Sequence, residues 1–161
     1  MENIIINDSN INEKQAELLS SSVRAVLYYN DNVLVEKSFD GSILLPGSVF
    51  RCPAKELLIK DLSLKLGYEV NESELTKFLF LNHFYDGMIT RGNLASTDYF
   101  YGKFRGIDYT KSLKSNNYLY KLIDIDELIE MTDGTFDDVN VNFNNRETHE
   151  VLKVFKKIKN K

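Results

Sequence analysis

The sequence predicts an α/β fold in which helices sandwich a mixed β-sheet. Three observations carry this. Strand-like segments recur along the chain, as VRAVLYY, VLVEKSF, LTKFLFLNHFY, STDYFYGKFRG and YLYKLIDI. Two segments with apolar residues at helical spacing, 53–66 and 145–160, fall between and after them. No linker, repeat or composition shift divides the 161 residues, which suffice for one sizeable core, so a single domain over 1–161 is expected.

The elements follow in order. Residues 2–6 (ENIII) read as a short edge strand. Residues 11–20 (INEKQAELLS) have a polar entry and helical spacing, so 1–22 is expected to be a strand and helix extension. VRAVLYY and VLVEKSF flank Asn30-Asp31-Asn32, whose residues tolerate the positive φ of a tight hairpin. Both faces of the first strand are largely apolar, as in a strand covered on both sides. ILLPGSVF continues extended and breaks at Pro46-Gly47. Pro53 suits a helix start, and Gly67 suits its end after Leu66. Two aromatic-rich strands, the strand 118–125, the short helix DELIEM and the acidic loop DGTFDDVN come next. The last helix, 145–160, places Val151, Leu152, Phe155 and Ile158 on one face and lysines at its negative end.

Composition narrows the function classes. The chain is 43% apolar and 27% charged, which fits a globular domain and not a disordered one. A net charge of −4 argues against nucleic acid or an anionic membrane as partner, because both require a positive field. KVFKKIKNK at the C-terminus is too short to reverse that. MENIIIND lacks the charged and apolar regions of a signal peptide, and no apolar run approaches the ~20 residues of a membrane span. One cysteine, Cys52, excludes an internal disulfide framework and points to a reducing cytoplasm.

The stretch PGSVFRCPAKELLIKDLSLKLGY carries a resemblance. In its layout, residues 23–158 are similar to the Nudix proteins: hairpin, strand into Pro-Gly, loop–helix, aromatic hairpin, strand, short acidic helix, terminal helix. The resemblance implies a Nudix-like α/β/α sandwich with a mixed β-sheet. It also implies hydrolysis of nucleoside diphosphates linked to another moiety, or similar pyrophosphates, with Mg2+ or Mn2+. The family signature is G-x5-E-x7-R-E-U-x-E-E-x-G-U, where U is bulky and apolar. Over 43–68, Pro46-Gly47-Ser48 stands at the entry, and Gly67-Tyr68 and Leu62 keep the terminal pattern. Lys60 stands where the family has Arg, and Asp61 where it has the first Glu. Leu64 and Lys65 replace the paired glutamates, and the loop Glu has no counterpart among Arg51, Cys52 and Pro53.

A pyrophosphate carries negative charge that must be neutralised before water attacks, and carboxylate-held magnesium does this. At about 100° per residue, Leu57, Asp61, Leu64 and Lys65 share one side of the helix. Leu58, Ile59, Leu62 and Leu66 form a core stripe on another. Asp61 is therefore the candidate catalytic and metal-binding residue. Lys65, at i+4 from Asp61, reads as a built-in cation in place of the metal; the competing readings are a solvated surface ion pair, a direct phosphate contact and a residual metal site.

Other acids near the helix or the next hairpin are Glu56, Glu69, Glu72, Glu74, Asp86 and Asp98. Arg91 and Arg105 are candidates to grip phosphate, and Tyr99, with Phe84, Tyr85 and Tyr101, to stack on a base; core packing is the competing reading for the aromatics. His83 and His149 lack partners at zinc-ligand spacing, and Cys52 has no visible histidine. No Walker A loop or G-x-G-x-x-G motif is present.

Two functional readings stand side by side. One is a divergent Nudix-family protein that acts on or binds a nucleotide-like or other pyrophosphate ligand, its usual metal-dependent hydrolysis impaired or lost and no cofactor needed if it is inactive. The other is an active pyrophosphohydrolase using a rebuilt Mg2+ or Mn2+ site. Nudix proteins often dimerise, so the resemblance carries a homodimer as an expectation.

Overall fold

The structure is a computed structural model that describes residues 1–49, 54–87, 91–112 and 118–161. The strands are β1 (Glu2–Ile6), β2 (Glu17–Tyr29), β3 (Asn32–Ser38), β4 (Ile43–Leu44), β5 (Gly47–Val49), β6 (Thr76–Tyr85), β7 (Asn93–Lys103) and β8 (Tyr118–Asp124). The helices are α1 (Lys55–Leu66), α2 (Ile125–Met131) and α3 (Val139–Lys159). Among the described residues the strands form one mixed sheet in the order β1-β6-β7-β2-β3-β4, with β5 added to β2 and β8 to β3. β1 runs parallel to β6, and β2 parallel to β7; β6–β7, β2–β3 and β3–β8 are antiparallel.

The β2–β3 hairpin turns where the sequence predicts. Asn30 takes φ 52°, and Tyr29 pairs with Asn32. Alternation along β2 sends Val23, Ala25 and Leu27 toward α1 and Val26 toward the opposite face. On the α1 face they meet Leu58, Leu62 and Leu66, all buried. On the other face α2 and α3 bring Leu128, Val151, Leu152 and Phe155 against Val26, Val35 and Tyr99. The result is the predicted sandwich. Leu62 is fully buried, so Leu62→Ala is expected to destabilise the protein by about 2–5 kcal/mol, read from chemical denaturation.

Two expectations are corrected. Residues 11–20 do not form a helix. The chain turns near residues 13–15 and is already strand from Glu17, paired in parallel with Asn93 on β7. Helix propensity there is overridden by pairing along the long central strand. The last helix begins at Val139, not near 145. Asp138 caps it, its side chain accepting from the backbone N–H groups of Asn140 and Val141.

Helix α1 ends as predicted. Gly67 takes φ 81°, and its N–H donates to the Ser63 carbonyl. A side chain at Gly67 would meet the Asp108 carbonyl at 2.5 Å, because the segment after β7 folds back over this helix end. Asp108 N–H donates to the Leu66 carbonyl at 2.8 Å, and the Ser112 hydroxyl donates to the Lys65 carbonyl. The predicted Pro53 start lies outside the described residues.

Candidate functional site

The site forms where α1, β3 and the Pro46-Gly47 corner meet. Leu34 and Glu36 share the face of β3 that turns to α1, so Glu36 points at the helix. One turn apart on α1, Asp61 and Lys65 face back toward it. Lys65 Nζ lies 3.0 Å from Glu36 Oε1, 3.0 Å from Asp61 Oδ2 and 2.7 Å from the Gly47 carbonyl oxygen. Three protein oxygens surround this ammonium: the Gly47 carbonyl accepts a hydrogen bond from it, and the Glu36 and Asp61 oxygens are held by charge. Ser48 Oγ donates to the other Asp61 oxygen at 3.4 Å.

This group is not a surface ion pair. Side-chain exposure is 3% for Glu36 and 19% for both Asp61 and Lys65. Burial pushes the Glu36 carboxyl above its ordinary value, with the Lys65 charge pulling the other way. Tyr120 stands opposite Glu36 in the β3–β8 register. Its phenol is also pushed up, first by burial and then by the Glu36 and Asp61 charges.

The arrangement does not fit a divalent cation as it stands. Hard cations take several oxygen ligands, and here the position between the oxygens is filled by a lysine of the same chain. Among the described residues no group of three or more His, Cys, Asp or Glu side chains converges as a metal site. The other acids of the sequence lie elsewhere. Glu74 pairs with Arg105, Asp98 pairs with Lys77 at 2.9 Å, and Asp86 accepts from the Gly92 N–H. Cys52 lies outside the described residues.

Of the sequence candidates among the described residues, Asp61 and Lys65 are the two that this site brings together. Arg91 is exposed just before β7, and Arg105 follows its other end. A strand of 11 residues separates them, on the order of 35 Å, so they do not grip one phosphate. Arg105 lies 2.9 Å from Glu74 and 4.5 Å over the Tyr68 ring. Tyr99 is corrected from a stacking platform to a core residue, 2% exposed, whose hydroxyl donates to Glu147 at 3.2 Å. Burial raises that phenol well above its usual range. His149 packs at the α2–α3 contact, its Nδ1 2.9 Å from the Ile129 carbonyl.

Glu36 is not among the sequence candidates. Its signal is the period-2 alternation from apolar Leu34, which puts a charge on the strand face that α1 covers. Sequence reasoning also misses Arg24. Its Nη1 donates to the Leu45 carbonyl at 2.8 Å. With Ser22, Tyr99, Asn144 and Glu147 it lines a cavity of about 100 Å³ on the α3 side of the sheet.

No protein-family model and no curated protein matches the sequence. Solved structures do match. An Ap4A hydrolase from C. elegans, solved as a binary complex, aligns with TM-score 0.57 at 14% identity, over 87% of this chain and 97% of that one. A mutator MutT protein from Bacillus halodurans aligns with TM-score 0.55 at 15% identity, over 70% and 73%. A MutT Nudix hydrolase from Burkholderia pseudomallei aligns with TM-score 0.52 at 11% identity, over 81% and 97%. The architecture is that of a mixed-sheet α/β sandwich with its loop–helix packed on one face. More narrowly, the chain has the Nudix fold.

Proposed function

We propose that this chain is a Nudix-fold binding domain for a nucleotide-like or other pyrophosphate ligand, with the usual metal-dependent hydrolysis lost. The observation that carries the reading is the Lys65 ammonium, 3.0 Å or less from Glu36, Asp61 and the Gly47 carbonyl. A cation tethered there takes up the negative charge that would otherwise attract magnesium. It also brings no bound water to attack a phosphorus atom. The ligand class rests on the fold: the C. elegans neighbour is an Ap4A hydrolase, and another, aligned at TM-score 0.50, is an ADP compounds hydrolase.

Lys65 is a poor phosphate receptor in this setting, because two carboxylates already neutralise it. Arg24 is better placed. It pairs in register with Gly47 and reaches the α3-side cavity. A guanidinium with one bond to the Leu45 carbonyl keeps donors for a phosphate.

The second reading, an active pyrophosphohydrolase with a rebuilt Mg2+ or Mn2+ site, draws on Glu36. If Lys65 swung out, the Glu36 and Asp61 carboxylates and the Gly47 carbonyl would offer three oxygens to one ion.

A panel of dinucleoside polyphosphates and nucleoside diphosphate conjugates, assayed with Mg2+ and with Mn2+ beside a thermal-shift screen, separates the two. The binding reading expects melting-point shifts without turnover. Turnover that Asp61→Asn abolishes would overturn it. Among the described residues no helix is long and apolar enough to cross a membrane. A reducing cytoplasm as the compartment rests on the single cysteine.

A further inference from the structure

A second polar group lies on the α3 side of the sheet, outside the Lys65 site. Tyr99 donates to Glu147 Oε1, and Glu147 Oε2 lies 3.0 Å from His83 Nδ1. A carboxylate can only accept, so in the neutral ring the His83 proton sits on Nδ1 and Nε2 keeps the lone pair. Phe143 stacks on the imidazole with centroids 4.2 Å apart and planes 2° apart, and Tyr85 meets its edge. The ring is held in that orientation.

The His83 side chain is only 6% exposed. Among the described residues its Nε2 has no hydrogen-bond partner, and it is not one of the fully enclosed unpaired atoms. His83 lines a cavity of about 220 Å³ between the end of β6, residues 8–9 and the start of α3. Glu147 lines the smaller cavity instead. With Nδ1 turned to Glu147, the Nε2 edge is the one that faces the larger space.

The remaining lining selects a ligand charge. Tyr85, Phe136 and Phe143 supply aromatic walls, and Asp86 and Asp137 supply carboxylates. Arg146 is the lining cation, but Asp8 holds it at 2.8 Å and Glu150 on its other side. That pairing pulls the Asp8 carboxyl below its ordinary range. Arg146 is thus neutralised and is no receptor for an anion.

We infer that this cavity binds a small organic ammonium, an amine carried on an apolar or aromatic body. Its N–H groups meet His83 Nε2. Its charge faces Asp86 and Asp137, and its body lies against the aromatic walls, where a cation gains from the ring faces. This inference does not depend on the pyrophosphate reading.

Benzylamine is the probe, with benzyl alcohol and benzoate as neutral and anionic controls, titrated into the full chain while His83 and Tyr85 ring resonances are followed by NMR. Benzylamine is expected to shift both rings saturably, benzyl alcohol to bind more weakly, and benzoate not to bind. The double variant Asp86→Asn, Asp137→Asn should bind benzylamine roughly tenfold more weakly. Both positions are exposed, and the amide oxygen introduced at position 86 can still accept from the Gly92 N–H, so the variant should keep its melting point. Unmoved His83 resonances, benzoate or benzyl alcohol binding as tightly as benzylamine, or unchanged affinity in the double variant would each overturn the assignment.

Discussion

Replacing Lys65 by methionine will destabilise the protein by about 3–5 kcal/mol, the range for removing one member of a buried charge group. The cost arises in the carboxylates left behind. Glu36 is 3% exposed and would face Asp61 with no cation between them. The loss should depend on pH with a definite sign. Burial already raises Glu36 above its ordinary 4.5, and Lys65 opposes the rise. Without Lys65 the folded-state value climbs further, while the unfolded value stays put. The native state then binds the extra proton at pH values above 4.5, so stability falls as pH rises through that window. Denaturation curves at about pH 5 and about pH 8 should show the larger deficit at the higher pH. Millimolar Mg2+ or Mn2+ should raise the variant's melting point and leave the parent's unchanged, since an ion can take the vacated place among the oxygens. Lys65→Glu adds a third carboxylate and should strengthen that response. Equal responses in parent and variants would show that Lys65 does not hold a cation's position.

The second large effect is at Gly47. Its φ is 150°, and a Cβ there would lie 2.2 Å from the Val23 carbonyl oxygen and 2.7 Å from Arg24 Cα. Both obstacles lie on the backbone of β2, which is locked between β5 and β7 and cannot retreat. Gly47→Ala is therefore expected to cost more than about 4 kcal/mol or to detach β5 from β2. Detachment would also withdraw the carbonyl that Lys65 holds. Hydrogen exchange over residues 22–24 and 47–49, read beside the melting point, measures both outcomes. A variant as stable as the parent, with the same protection, would show that the close approach is not required.

These two residues show what the sequence made legible. Pro46-Gly47, the leucine stripe of α1 and Gly67 are local signals, and each places its element correctly. The Asn-Asp hairpin is equally local. Glu36 is different: its role depends on β3 lying beside α1, a contact between segments far apart in the chain. Tyr99 is ambiguous for a related reason. Period-2 alternation puts Thr97, Tyr99 and Tyr101 on one face, but only the packing of α3 shows that the face is inside. Residues 11–20 mislead because their preference for helix yields to a partner strand far along the chain, in the Glu17–Asn93 register.

That long-range pairing bears on how the chain reaches this structure. β2 takes its longest partner from β7, between Glu17–Asn93 and Tyr28–Lys103, and β1 is paired with β6. A hairpin such as β2–β3 can close at once, whereas these parallel pairs must first bring together segments separated by nearly half of the chain. During synthesis, β2 leaves the ribosome long before β7 exists to cover it. Its apolar residues Val23, Ala25, Val26 and Leu27 stay without their principal partner until the chain has grown past Lys103. The same strand that organises the finished sheet is, in the nascent chain, an aggregation-exposed segment.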